Sequence, residues 1–119
     1  MPDYALALAV HTHDSGASVL GMAGELDYHT APRLRRIVEK LVLQAGVPLI
    51  LEVSGLTFCD SIGVTGLIFA YQRARTAAAP FALAGANRDL AHVFEITGID
   101  RLLDLQPDVE QALRALGRN

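Results

Sequence analysis

The run Pro48-Leu49-Ile50-Leu51-Glu52-Val53 constrains the fold of this chain more than any other segment. It is short and almost continuously apolar, so an extended strand here would need cover on both faces. Such a strand belongs inside a sheet with helices packed against it. The flanking sequence supplies them. Ala31 to Ala45 places Leu34, Ile37, Val38, Leu41 and Val42 on one helical face, with Thr30 as its cap, Pro32 in its first turn and Gly46 as its stop. A second helix is expected over Ile62 to Ala77, after a loop from Ser54 to Asp60, with Pro80 marking its exit.

The rest of the chain continues the alternation. Tyr4 to Val10 and Ala17 to Ala23 read as a hairpin around His13-Asp14-Ser15-Gly16, and Gly24-Glu25-Leu26-Asp27 breaks the pattern. Phe81 to Ala84 reads as a buried strand, Asp89 to Thr97 as a short helix stopped by Gly98, Leu102 to Leu105 as an edge strand, and Asp108 to Leu116 as a last helix. The fold class is therefore α/β. A mostly parallel central sheet begins with an N-terminal hairpin and carries about four helices. At 119 residues, residues 1–119 are expected to form one domain.

Composition narrows the function classes. Hydrophobic residues are 51% and charged residues 19%, as in a packed globule rather than a disordered chain. A net charge of −3 supplies no electrostatic attraction for nucleic acid, so no direct nucleic-acid partner is expected. The single cysteine excludes an internal disulfide and fits a reducing compartment. No apolar run reaches a membrane span, and Met1-Pro2-Asp3-Tyr4 lacks a basic signal-peptide start. A cytoplasmic location without membrane insertion is expected.

Ser61 is the residue placed best for chemistry. It stands where the loop after the buried strand enters the second helix, so its hydroxyl lies over the positive end of the helix dipole. Two readings compete: Asp60-Ser61 caps the helix, or Ser61 accepts a phosphate. A phosphate would add about −1.5 to −2 charges beside Asp60 and repel a partner packed there, without disturbing the core. Along the second helix, Val64, Leu67, Ile68 and Tyr71 share a core-facing side. Ile62, Gly66, Phe69 and Arg73 line the nearly opposite side and are expected to look outward as a protein-docking stripe. The competing reading covers Phe69 with a loop or the third helix.

Other reactive residues form no machine. Cys59 has no fixed histidine partner and reads as a structural thiol. His11 and His13 share a strand face but lack a third metal ligand. His29 reads as a solvated turn residue, and the side of its helix on which His92 lies stays open. Gly63-Val64-Thr65-Gly66 lacks the lysine of a phosphate-binding loop. With no nucleophile, base and orienting group to assemble, no enzyme activity, metal or cofactor is expected.

Two segments carry a family resemblance. Gly24-Glu25-Leu26-Asp27-Tyr28-His29-Thr30-Ala31 resembles the GELD..TA segment of STAS domains, and Leu56-Thr57-Phe58-Cys59-Asp60-Ser61-Ile62-Gly63 resembles their L.F.DSSG segment. The resemblance covers essentially the whole chain and points to stand-alone bacterial anti-sigma factor antagonists. It implies that Ser61 is the phosphoacceptor, with Asp27, Asp60 and Gly63 around it. It implies as partners an anti-sigma factor with serine kinase activity and a serine phosphatase. The unmodified antagonist would bind the anti-sigma factor and release a sigma factor for transcription. Ile62 departs from the Ser or Thr usual at that position and, beside the switch, could serve as an interface anchor. A constitutive STAS adaptor of a lipid-transport complex is the alternative that the resemblance leaves open.

Overall fold

The computed structural model describes residues 5–117. The chain opens with an antiparallel pair, β1 (Leu6–Thr12) and β2 (Ser18–Leu26). It then alternates helix and strand: α1 (Ala31–Lys40), β3 (Leu49–Cys59), α2 (Ser61–Thr76), β4 (Phe81–Ala84) and α3 (Arg88–Thr97). A 3-10 turn at Ile99–Arg101, the two-residue β5 (Leu105–Gln106) and α4 (Val109–Ala115) complete it. The strands lie in sequence order, β1-β2-β3-β4-β5, and every pair after the first is parallel. The expected α/β class and hairpin start are both present.

The central strand behaves as its composition requires. Leu49, Leu51 and Val53 point into the larger core beneath α1, α2 and α3. Ile50 points the other way, into a smaller core with Val19, Ala82, Ala84, Ala112 and Leu113 under α4. Phe94 of α3 is fully buried in the larger core. Gly98 ends α3 in the left-handed region at φ 78°, where a side chain would be strained.

Several boundaries differ from the sequence expectation. The strand beginning at Leu49 runs through the expected Ser54–Asp60 loop to Cys59. Two register shifts against β2, after Gly21 and after Gly24, each insert an extra residue on the β3 side. Burial there recurs at Val53, Leu56 and Cys59, every third residue, which does not look like a strand's period of two. β2 likewise continues past Ala23 to Leu26. α1 stops at Lys40 rather than Ala45, because Leu41 turns extended (φ −68°, ψ 134°). Leu41 and Leu43 still pack on the core, but Val42 is 83% exposed, and Gly46 lies in a later turn. The last edge strand is Leu105–Gln106 rather than Leu102–Leu105. The first strand was expected from Tyr4, which lies outside the described residues; the observed strand runs Leu6–Thr12.

Candidate functional site

Parallel pairing brings the C-terminal ends of β2 and β3 side by side, Leu26 against Cys59. The loops that leave those ends hold the two sequence motifs, so segments about thirty residues apart in sequence meet in space.

The first loop is held by its own side chains. Asp27 Oδ1 accepts the backbone N–H groups of His29 (2.9 Å) and Thr30 (3.0 Å). The Thr30 hydroxyl is buried; it donates to the Glu25 carbonyl at 2.8 Å and accepts the Asp27 N–H at 3.0 Å. Thr30 precedes α1 but makes no side-chain cap bond to it, contrary to its expected role. Its hydroxyl is already committed backward into the loop. The Thr30 N–H, followed by the His29 N–H and the Thr30 hydroxyl, holds the Asp27 carboxyl below its usual value, against a partial desolvation that opposes the shift.

Asp60 joins the second loop to the first. Its Oδ1 accepts the Gly63 N–H at 2.7 Å and caps α2, while its Oδ2 accepts the Tyr28 N–H at 3.0 Å. Its own N–H donates to the Leu26 carbonyl at 3.2 Å. Gly63 sits so close to the end of β2 that a Cβ there would collide with the Leu26 carbonyl oxygen and lie 3.0 Å from Cys59 Sγ. The Cys59 thiol is buried; desolvation, aided by the negative charge of Asp60, pushes it up to about 12. A thiol in that state is protonated at neutral pH and is a poor nucleophile.

Between these anchored groups Ser61 is exposed. It is the first residue of α2, not its cap, since Asp60 performs that task. Its hydroxyl has no hydrogen-bond partner among the described residues, and its carbonyl accepts the Thr65 hydroxyl at 3.1 Å. Two residues of the stripe expected to face outward from α2 instead meet α1. Gly66 is buried, and a Cβ there would lie 3.2 Å from Leu34 Cδ2. Phe69 is half-buried, with the Arg35 guanidinium 4.2 Å above its ring centre. Arg73 stays exposed but donates to the Glu39 carbonyl of α1 at 3.2 Å. The cover over Phe69 is thus α1, not a loop or the third helix. Ile62 remains 50% exposed.

Between α1 and α2 a cleft of about 210 Å³ opens, reaching Ile62, the residue after Ser61. Ala31, Pro32 and Arg35 form its α1 wall. Ile62, Thr65, Gly66 and Phe69 form the α2 wall, and Tyr28, 71% exposed, closes the loop end. Tyr28, Arg35 and Thr65 were not singled out in the sequence. The pairing of small residues Ala31 and Gly66 was the available signal, since small side chains let two helices approach. Phe58, 50% exposed, adds a further apolar side chain near the end of β3.

The histidines are scattered. His11 is exposed on β1, whereas His13 lies in the hairpin turn, bonded to Ser15 and, at 2.9 Å, to Glu110. His29 meets Tyr28 edge-on, and His92 is exposed beside Glu95. Among the described residues no group of three or more metal-ligating side chains converges. Among the described residues no helix is long and apolar enough to cross a membrane.

A family model described as STAS domain matches residues 9–112. The chain belongs to the STAS domain family. The Listeria monocytogenes anti-sigma-B factor antagonist is 24% identical over 101 residues, which make up 85% of this chain and 89% of that protein. The crystal structure of an anti-sigma factor antagonist from Mycobacterium paratuberculosis matches with a TM-score of 0.84 at 27% identity, covering 98% of this chain and 97% of that one. SpoIIAA, an anti-sigma factor antagonist solved in its unphosphorylated form, shares the fold at a TM-score of 0.71 and 20% identity, over 93% of this chain and 97% of its own.

Proposed function

We propose that this STAS protein is an anti-sigma factor antagonist that works by partner switching in the cytoplasm. Unmodified, it binds an anti-sigma factor that is also a serine kinase and so frees a sigma factor. Phosphorylation of Ser61 ends that binding, and a serine phosphatase restores it. The observation that carries the reading is the division of labour at the start of α2. Asp60 caps the helix, so the exposed Ser61 hydroxyl is left free to react. The phosphate would meet the positive end of a 16-residue helix, and the loops beside it are already satisfied internally. The added charge would therefore change what the surface binds while leaving the fold in place. The protein acts as a binding module, in line with its protonated, buried Cys59 thiol.

The test is incubation with ATP and the anti-sigma kinases encoded in the same genome, followed by mass spectrometric mapping. Phosphate on Ser61 is expected. Ser61→Ala should keep full affinity for the anti-sigma factor, and Ser61→Asp should weaken it about tenfold or more. Equal affinity of the two variants would contradict the charge mechanism. An unmodified Ser61 with every such kinase would instead favour a constitutive adaptor.

A further inference from the structure

We infer that the cleft between α1 and α2 receives a large apolar side chain of the anti-sigma factor, flanked on that partner by a carboxylate that pairs with Arg35. This rests on the anti-sigma reading above and names the chemistry of the bound segment. The cleft holds about 210 Å³, several times the ~30 Å³ share of a water molecule. Most of its wall is apolar carbon from Ile62, Phe69, Ala31 and Pro32, and Arg35 is the one charged residue on it. An apolar side chain gains from that burial, whereas a polar one would lose its hydration.

Charge picks the flanking group. The whole chain carries −3, yet the exposed side of α1 presents Arg35, Arg36 and Lys40 against one carboxylate, Glu39. Arg35 stays 59% exposed although it reaches toward Glu39 at 3.7 Å, an exposed pair that yields readily to a better-placed carboxylate. The guanidinium carbon already lies 4.2 Å from the centre of the Phe69 ring, which keeps its donors on the wall of the cleft.

The cleft is continuous with the switch. Ile62 lines it and directly follows Ser61. A phosphate on Ser61 would set about −1.5 to −2 charges at the Ile62 end of the cleft, and the cost of covering that charge with the bound apolar segment would release it. Ile62 in place of the family's usual hydroxyl then adds apolar wall, not a lost second acceptor.

The experiment measures binding of the purified anti-sigma factor to the full chain and three variants. Thr65→Trp fills the cleft from an exposed position, and Arg35→Glu reverses its rim charge. Each is expected to weaken binding about tenfold or more, and added salt should weaken the parent chain more than Arg35→Glu. Circular dichroism checks folding; should Thr65→Trp unfold, the exposed Arg35→Glu decides. If the parent chain binds and Ser61→Asp weakens it, yet Thr65→Trp and Arg35→Glu bind like the parent, the cleft inference is overturned and the switch stands. If the parent chain binds no anti-sigma factor, both fall.

Discussion

Asp60 and Ser61 are neighbours with opposite roles. The Asp60 carboxylate uses both oxygens to tie the β3–α2 turn to the β2–α1 loop. The Ser61 hydroxyl is tied to nothing among the described residues. The same contrast extends outward: Asp27, Thr30 and Gly63 belong to a closed, internally bonded scaffold, and Ile62, Thr65 and Tyr28 to an open surface. The lesson concerns switching. A charge can be added to a surface without rearranging the fold only if the scaffold beneath it does not depend on the modified group.

The contrast can be broken from the scaffold side first. Gly63→Val should be the most damaging change, because its Cβ would press on the Leu26 carbonyl and Cys59 Sγ. A loss of about 3 kcal/mol in urea unfolding is expected. A variant as stable as the parent would mean that α2 can withdraw from β2, and that the scaffold is looser than described. Asp60→Ala comes next. It removes the cap of α2 and the tie to Tyr28, at a cost of about 1–2 kcal/mol. Ser61→Ala in the same assay should stay within about 0.5 kcal/mol of the parent. If the two variants lost the same stability, the proposed division between them would disappear.

Among the scaffold changes the smallest effect should come from Asp27→Asn, and it should depend on pH. The loop N–H groups lower the Asp27 pKa from 3.8, so its ionised form favours the folded state. That contribution is present above the unfolded value and is lost as pH falls through the lower folded value. The stability gap between parent and Asp27→Asn is therefore expected at pH 7 and should shrink below about pH 3.8. A gap of constant size across that window would sink the charge-based account of the loop.

The sequence alone points to the place where the candidate site forms. Asp27, Asp60 and Ser61 were marked by the two motifs, and parallel β2–β3 pairing does bring those motifs together. Ile62, Gly66, Phe69 and Arg73 do share one side of α2, but that side meets α1 instead of looking outward, and Arg73 lies outside the cleft that the other three line. Helical spacing reports that residues share a side, not what packs against it. α2 packs on the sheet through Val64 and Leu67 and on α1 through Gly66 and Phe69. A helix with two packing partners shows no sharp division between an apolar and a polar face. The Ser54–Cys59 stretch was missed for a related reason: its bulges break the alternation by which a strand is recognised.

By itself, the sequence determined the order of strands and helices, the need to bury the Leu49–Val53 strand on both faces, and the two motifs at the site. These follow from local chemistry and short-range periodicity, which a linear chain displays in full. Only the tertiary structure decided that Asp60 rather than Ser61 caps α2, that α1 covers Gly66 and reaches over Phe69, and that a cleft remains beside Ile62. Each of those outcomes depends on where the β3–α2 turn, α1 and α2 come to lie against one another, and that is set by how the helices and strands pack.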